Sequence, residues 1–137
     1  MSIKEMLKEH PLEGGDHEDR LGEAVKHAMY GAAIMNACAD ACLAEPDAQS
    51  RAECIRRCLD ASDACTAFYR VASRRVGGHV KTVKAAGAAA IIACEECHAL
   101  CKQYDEAYCR RCTRMCEEVI ADTKAAVQGL MDSEDAD

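Results

Sequence analysis

The stretch CEECHALCKQYDEAYCRRCTRMC, from Cys94 to Cys116, constrains this chain more than any other. It holds six of the eleven cysteines. Cys94, Cys97 and Cys101 recur at steps of three and four, and so do Cys109, Cys112 and Cys116. Such steps place side chains on one face of an α-helix. A turn near Tyr104 and Asp105 must separate the two triplets, giving a helical hairpin with a thiol stripe on each arm. A second hairpin lies upstream, with Cys38 and Cys42 on one arm and Cys54, Cys58 and Cys65 on the other. The expected fold is all-α: an antiparallel up-down-up-down four-helix bundle with its stripes facing inward, preceded by a short N-terminal helix.

A chain of 137 residues is one domain's worth. So many cysteines would ordinarily suggest a secreted disulfide framework. Three features oppose that. The cysteine count is odd, the N-terminal MSIKEMLKEHPLEGG lacks a secretory signal, and the cysteines follow helical rather than loop spacing. We expect a reducing cytoplasm, where clustered thiols bind metal or do chemistry. The apolar run AAGAAAIIAC is too short to span a bilayer, so no membrane role is expected. The net charge of −7 argues against nucleic-acid binding. Bulky core formers are few, with one Phe and no Trp. The helices must therefore pack closely or enclose something else.

Taken in order, residues 1–15 read as a short amphipathic helix and linker, with Ile3, Met6 and Leu7 apolar and Pro11 and Gly14-Gly15 ending the helix. It is expected to pack across the bundle. Residues 16–132 form the bundle and residues 133–137 a frayed acidic tail. Asp16 would cap the first long helix, whose inward stripe is Leu21, Ala24, Ala28, Gly31, Met35, Cys38 and Cys42. Gly31 inside a helix costs about 1 kcal/mol relative to Ala, which signals a close helix contact. Pro46 ends this helix. The second starts near Ala48 or Ser50, carries Cys54, Cys58, Ala61, Cys65, Phe68 and Ala72 inward, and stops at Gly77-Gly78. The third runs from about His79 to Lys102 with Val80, Val83, Gly87, Ala90, Cys94, Cys97 and Cys101 inward. Asp105 would cap the fourth, whose face is Cys109, Cys112, Cys116, Val119, Ile120, Thr123 and Val127. The basic residues Arg70, Arg74, Arg75, His79, Lys81 and Lys84 read as solvated charge around a helix end.

In an up-down-up-down bundle the thiol-bearing segments all meet at one end. At 1.5 Å rise per residue, ten sulfurs fall within roughly 15 Å of that end, and Cys65 at about 22 Å. The other half is plainly apolar. Soft thiolates select Cu(I), Zn(II) or iron-sulfur clusters. Zinc favours closed four-ligand sites, into which a column of eleven thiols does not divide cleanly. Iron-sulfur ligands favour flexible loops over straight helices. Cu(I) accepts two or three sulfurs and suits pairs at i and i+4 that share ligands with a neighbouring helix. A lone buried cysteine is usually a small hydrophobe. Eleven on inward stripes at one end are not explained that way.

The ordered set CADAC (Cys38 to Cys42), CIRRC (Cys54 to Cys58), CEECHALC (Cys94 to Cys101) and CRRCTRMC (Cys109 to Cys116) resembles the four-helix-bundle copper storage proteins. The likeness covers about residues 20–125. It implies a non-enzymatic protein that stores or buffers multiple Cu(I) ions on cysteines filling the bundle, a homotetramer, and a cytosolic location for members without an export signal. The implied ligands are Cys38, Cys42, Cys54, Cys58, Cys65, Cys94, Cys97, Cys101, Cys109, Cys112 and Cys116. His98, placed at the mouth, and Met35, one turn before Cys38, are candidate accessory ligands. Copper would be exchanged with a copper chaperone or small thiols. Where family members often carry deeper cysteines, this chain has Gly31, Ala61, Gly87 and Ala90. Its capacity is about five ions if each takes two thiols, and about eleven if sulfurs bridge.

Other readings stay open at this point. One is a thiol-disulfide redox protein centred on Cys109 and Cys112, in the first turns of a helix where thiolates are stabilised. Another is an iron-sulfur or zinc module. Arg56, Arg57, Arg110, Arg111 and Arg114 surround the thiol half. They read as outer-face charges that would also lower nearby thiol pKa values.

Overall fold

The three- and four-residue spacing of small and sulfur-bearing side chains builds four long helices that close on one another. The computed structural model describes the backbone of residues 1–11, 17–74 and 80–136, and side chains of residues 1–11, 20–74 and 80–130. Helix α1 (Ile3–Lys8) is followed by α2 (His17–Leu43), a 3₁₀ turn (Ala48–Arg51), α3 (Ala52–Ala72), α4 (Val80–Cys101) and α5 (Ala107–Ala136). No strand occurs among the described residues. Around the bundle, α2 packs on α3, α3 on α4, α4 on α5 and α5 back on α2.

Helix α1 is capped by Ser2, whose side chain accepts from the Glu5 amide at 3.3 Å. It packs against α2. Leu7 is buried, and Lys4 Nζ reaches Glu23 of α2 at 2.5 Å. The inward stripe of α2 is buried along its whole length, from Leu21 through Cys42. A Cβ built on Gly31 would stand 2.9 Å from Val119 Cγ2, so the missing side chain is what lets α2 approach α5. Gly87 does the same for α4, where an added Cβ would lie 3.0 Å from Val127 and 3.3 Å from Phe68.

Helix boundaries differ from the expected ones at three places. After Pro46 the chain first winds a tighter 3₁₀ turn, with the Ser50 amide bonded to the Asp47 carbonyl at 3.0 Å. The α-helical part of the second rod therefore starts only at Ala52. The fourth rod starts at Ala107, so Glu106 and not Asp105 precedes it, and the Asp105 carbonyl instead accepts from Arg110. Its far end keeps helical backbone through residues 133–136, with no Pro or Gly there to break it. The expected Asp16 cap, the Gly14-Gly15 and Gly77-Gly78 breaks, and Arg75 and His79 lie outside the described residues.

Away from the cysteines the core is apolar. Phe68, Val25 and Val119 are fully buried, and Leu21 and Val83 nearly so. Two polar side chains interrupt it: Ser62, which donates to the Ala32 carbonyl at 2.7 Å, and Thr123, fully buried with its hydroxyl unpartnered.

Candidate metal centre

All eleven cysteines are at most 2% exposed, and none is in a disulfide. They lie on four rods because each rod presents its i, i+3/i+4 face to the centre. Cys101 of α4 is the hub. Its sulfur stands 3.4 Å from Cys58 and 3.5 Å from Cys54, both on α3, and 3.8 Å from Cys97 and from Cys112 of α5. Cys97 in turn lies 3.5 Å from Cys58 and 3.9 Å from Cys112.

Three sulfur groups have all members within 4.8 Å of one another: Cys38/Cys58/Cys101/Cys112, Cys38/Cys42/Cys109 and Cys97/Cys112/Cys116. Cys65 and Cys94, 3.6 Å apart, continue the series away from the loops, and Cys94 joins it through Cys116. The groups share Cys38 and Cys112, so they form one continuous column. A four-sulfur group alone would suit tetrahedral zinc. Shared corners instead suit an ion that accepts two or three bridging thiolates.

The thiols control one another's protons. Cys101 is held far below the ordinary thiol value because Cys112, Cys38, Cys54 and Cys58 surround its thiolate as S–H donors. Cys94 is lowered likewise, by Cys116 and then Cys65. Three of the Cys101 donors are raised in turn, Cys54 up to about 12 and first by Cys101, whereas Cys38 is lowered because the opposing effect of Cys101 is outweighed by Cys112 and Cys58. Cys58 and Cys112 also go up, again with Cys101 as the largest cause. Without cargo, the column thus holds few negative charges and many protons.

Cys109 is pushed up by burial first and by the nearby Cys38 and Cys42 second. A redox centre needs an accessible, low-pKa thiolate. Cys109 and Cys112 are both fully buried and raised, which is the opposite.

His98 does not reach the sulfurs. One residue beyond Cys97, it is turned about 100° around the helix. It faces an outer groove between α4 and α5 with Glu95, Ile120 and Lys124, its Nε2 3.0 Å from Glu117. Met35 is fully buried, its Cε packed beside Gly31. The expected ring of arginines also faces outward: Arg56, Arg110, Arg111 and Arg114 are exposed and Arg57 is half-buried. Arg51, in contrast, lies beside the column thiol Cys42.

Arg51 escaped the sequence reading, together with the residues around it. Its Nε bonds Asp47 at 2.8 Å, its Nη2 bonds Glu106, and its guanidinium lies 4.3 Å from the centre of the Tyr104 ring. Tyr108 Oη donates to Glu45 at 2.6 Å alongside. Apart from Tyr108, in the first turn of α5, these residues come from the loops at the thiol end, and together they cover it. The signal was a lone Arg in one short loop facing Tyr-Asp-Glu in the other.

A further cluster, Glu23, His27 and Asp122, sits on the outer face of α2 and α5. Lys4 and Lys26 already engage Glu23, and His27 bonds Asp122, so it acts as an ion-pair network.

A closed helical bundle whose interior is a continuous, proton-bearing sulfur column is a container for thiophilic metal. The family model described as copper storage protein matches residues 17–128, and the chain belongs to that family. Two solved structures of the Streptomyces lividans copper storage protein Ccsp are similar to it. The one loaded with 10 copper equivalents has a TM-score of 0.89 at 27% identity, covering 93% of this chain and 99% of that one. The other, a cytosolic copper storage protein with five coppers, has a TM-score of 0.80 at 28% identity, covering 84% and 98%. No curated protein matches the chain. Among the described residues, no helix is long and apolar enough to cross a membrane.

Proposed function

We propose that this chain holds its copper as Cu(I), non-enzymatically, on the thiolates of all eleven cysteines. The observation that carries this is the unbroken run of shared sulfur groups from Cys42 and Cys109 to Cys65 and Cys94. Each ion replaces thiol protons and bridges sulfurs already 3.4 to 3.9 Å apart. Little rearrangement is then needed on loading. Soft sulfur-only coordination favours the cuprous state. Met35 contributes packing and His98 none of the coordination. The protein works in the cytoplasm, as the likeness to a cytosolic relative suggests, and as a homotetramer, as the family resemblance implies. It exchanges ions with a copper chaperone or small thiols.

Anaerobic titration of the reduced protein with Cu(I) against a competing chelator tests the reading. Tight uptake of at least about five ions is expected. Saturation at one or two ions would replace the reservoir with a discrete site.

A further inference from the structure

Every sulfur is shielded from solvent, so an ion reaches the column only when the protein opens. At the base, opening would separate Phe68, Val25 and their neighbours, which are fully buried and apolar. At the loop end it would displace the small polar assembly centred on Arg51.

Three observations mark that assembly as the part that moves. Arg51 ends a four-residue 3₁₀ turn, whose hydrogen bonds are weaker than those of an α-helix. It is held by side-chain contacts to another loop, 55 residues away at Glu106, and by the face of Tyr104. Its Nη1 and the Glu106 Oε2 are buried with no partner. Water would satisfy both atoms on opening, so the closed state carries a desolvation penalty that the open state lacks.

We propose that Arg51 is the latch over the mouth of the column, an inference that takes copper storage as its premise. Closed, the guanidinium lies against Cys42 and places positive charge in the path of a cation. When Arg51 leaves Glu106 and Tyr104, Cys42 and Cys109 become the first sulfurs an incoming ion meets. Transfer is then a ligand exchange with no change of oxidation state. Cu(I) leaves a donor thiolate for the Cys42 sulfur, and the Cys42 proton goes to the departing thiolate, which leaves as a thiol.

The test uses the full-length, copper-free, reduced protein under native alkylation with iodoacetamide, mapped by peptide mass. Cys42 and Cys109 are labelled first in the unchanged protein. Arg51→Ala raises their labelling roughly tenfold or more while Cys65 and Cys94 stay slow. Removing the guanidinium alone would lower the Cys42 thiolate fraction, so faster labelling reports opening and not acidity. Glu106→Gln and Tyr104→Leu act in the same direction, which keeps the test decisive should Arg51→Ala not fold. Val25→Ala, at the base, leaves the order of labelling unchanged. Unchanged mouth labelling in the three latch variants, or all cysteines reacting together, would overturn the latch. In copper-loaded samples the latch variants keep the stoichiometry and release ions to a chelator faster. A protein that took up no copper yet showed the alkylation pattern would sink the storage reading and leave the latch standing.

Discussion

The sulfurs of Cys58 and Cys101, on different helices and 43 residues apart, lie 3.4 Å from each other at the crossing of the column. Cys101 also contacts Cys54, Cys97 and Cys112, whereas Cys65 contacts Cys94 alone among the sulfur distances at hydrogen-bond range. Replacement of the hub should therefore cost more cargo than replacement at the deep end. Cys101→Ala is expected to lose about two ions or more and Cys65→Ala about one, measured by chelator-competed titration. Equal losses would mean the sulfurs act independently.

The pKa pattern fixes two pH responses. Thiols such as Cys54 and Cys58 are raised and hence protonated at neutral pH, so loading expels protons. Apparent Cu(I) affinity should rise with pH, by up to about tenfold per pH unit for each proton released. Stability of the empty protein runs the other way. A raised folded-state pKa contributes stability that is complete below the ordinary thiol value of 9.0 and is lost as pH climbs towards about 12 at Cys54. The melting temperature of the empty protein should fall across that window, and that of the loaded protein should not.

Gly31→Ala tests the α2–α5 approach. Helix propensity would gain about 1 kcal/mol, but the new methyl meets the branched, buried Val119 at 2.9 Å. Overpacking of this kind costs about 1 to 3 kcal/mol, so a net loss of roughly 1 kcal/mol is expected by denaturant unfolding. A gain in stability would show that Val119 yields freely.

Thr123→Val should stabilise. The Thr123 hydroxyl is fully buried with no partner, and valine has nearly the same shape without the polar atom. A rise of about 1 kcal/mol in the same unfolding measurement is the expected result. A loss would reveal a partner for the hydroxyl.

His98→Ala should leave copper capacity untouched. The imidazole meets Glu117 in a half-exposed pair on the outer groove. Its removal changes stability by no more than about 0.5 kcal/mol. A drop in ions bound per chain would return His98 to the ligand set.

The bundle and its sulfur column were legible because helical spacing alone decides which face each cysteine shares. Gly31 was legible too, since a helix tolerates such a cost only at a close contact. The mouth was not. Arg51 occupies no apolar position in any periodic stripe, and its burial depends on Glu106 and Tyr104 from another loop. Local spacing carries no information on that pairing. The direction of His98 was not legible for the converse reason: nearness to Cys97 in the chain says nothing of direction, and the side chain faces Glu117 in the outer groove.

The scarcity of large side chains has a physiological corollary. Sulfur atoms fill space that leucine or phenylalanine would occupy in an ordinary bundle, so container and contents are made of the same material. Drawing down the reserve removes cross-links from the centre of the molecule. An emptied copy is then expected to be cut faster by a protease than a full one.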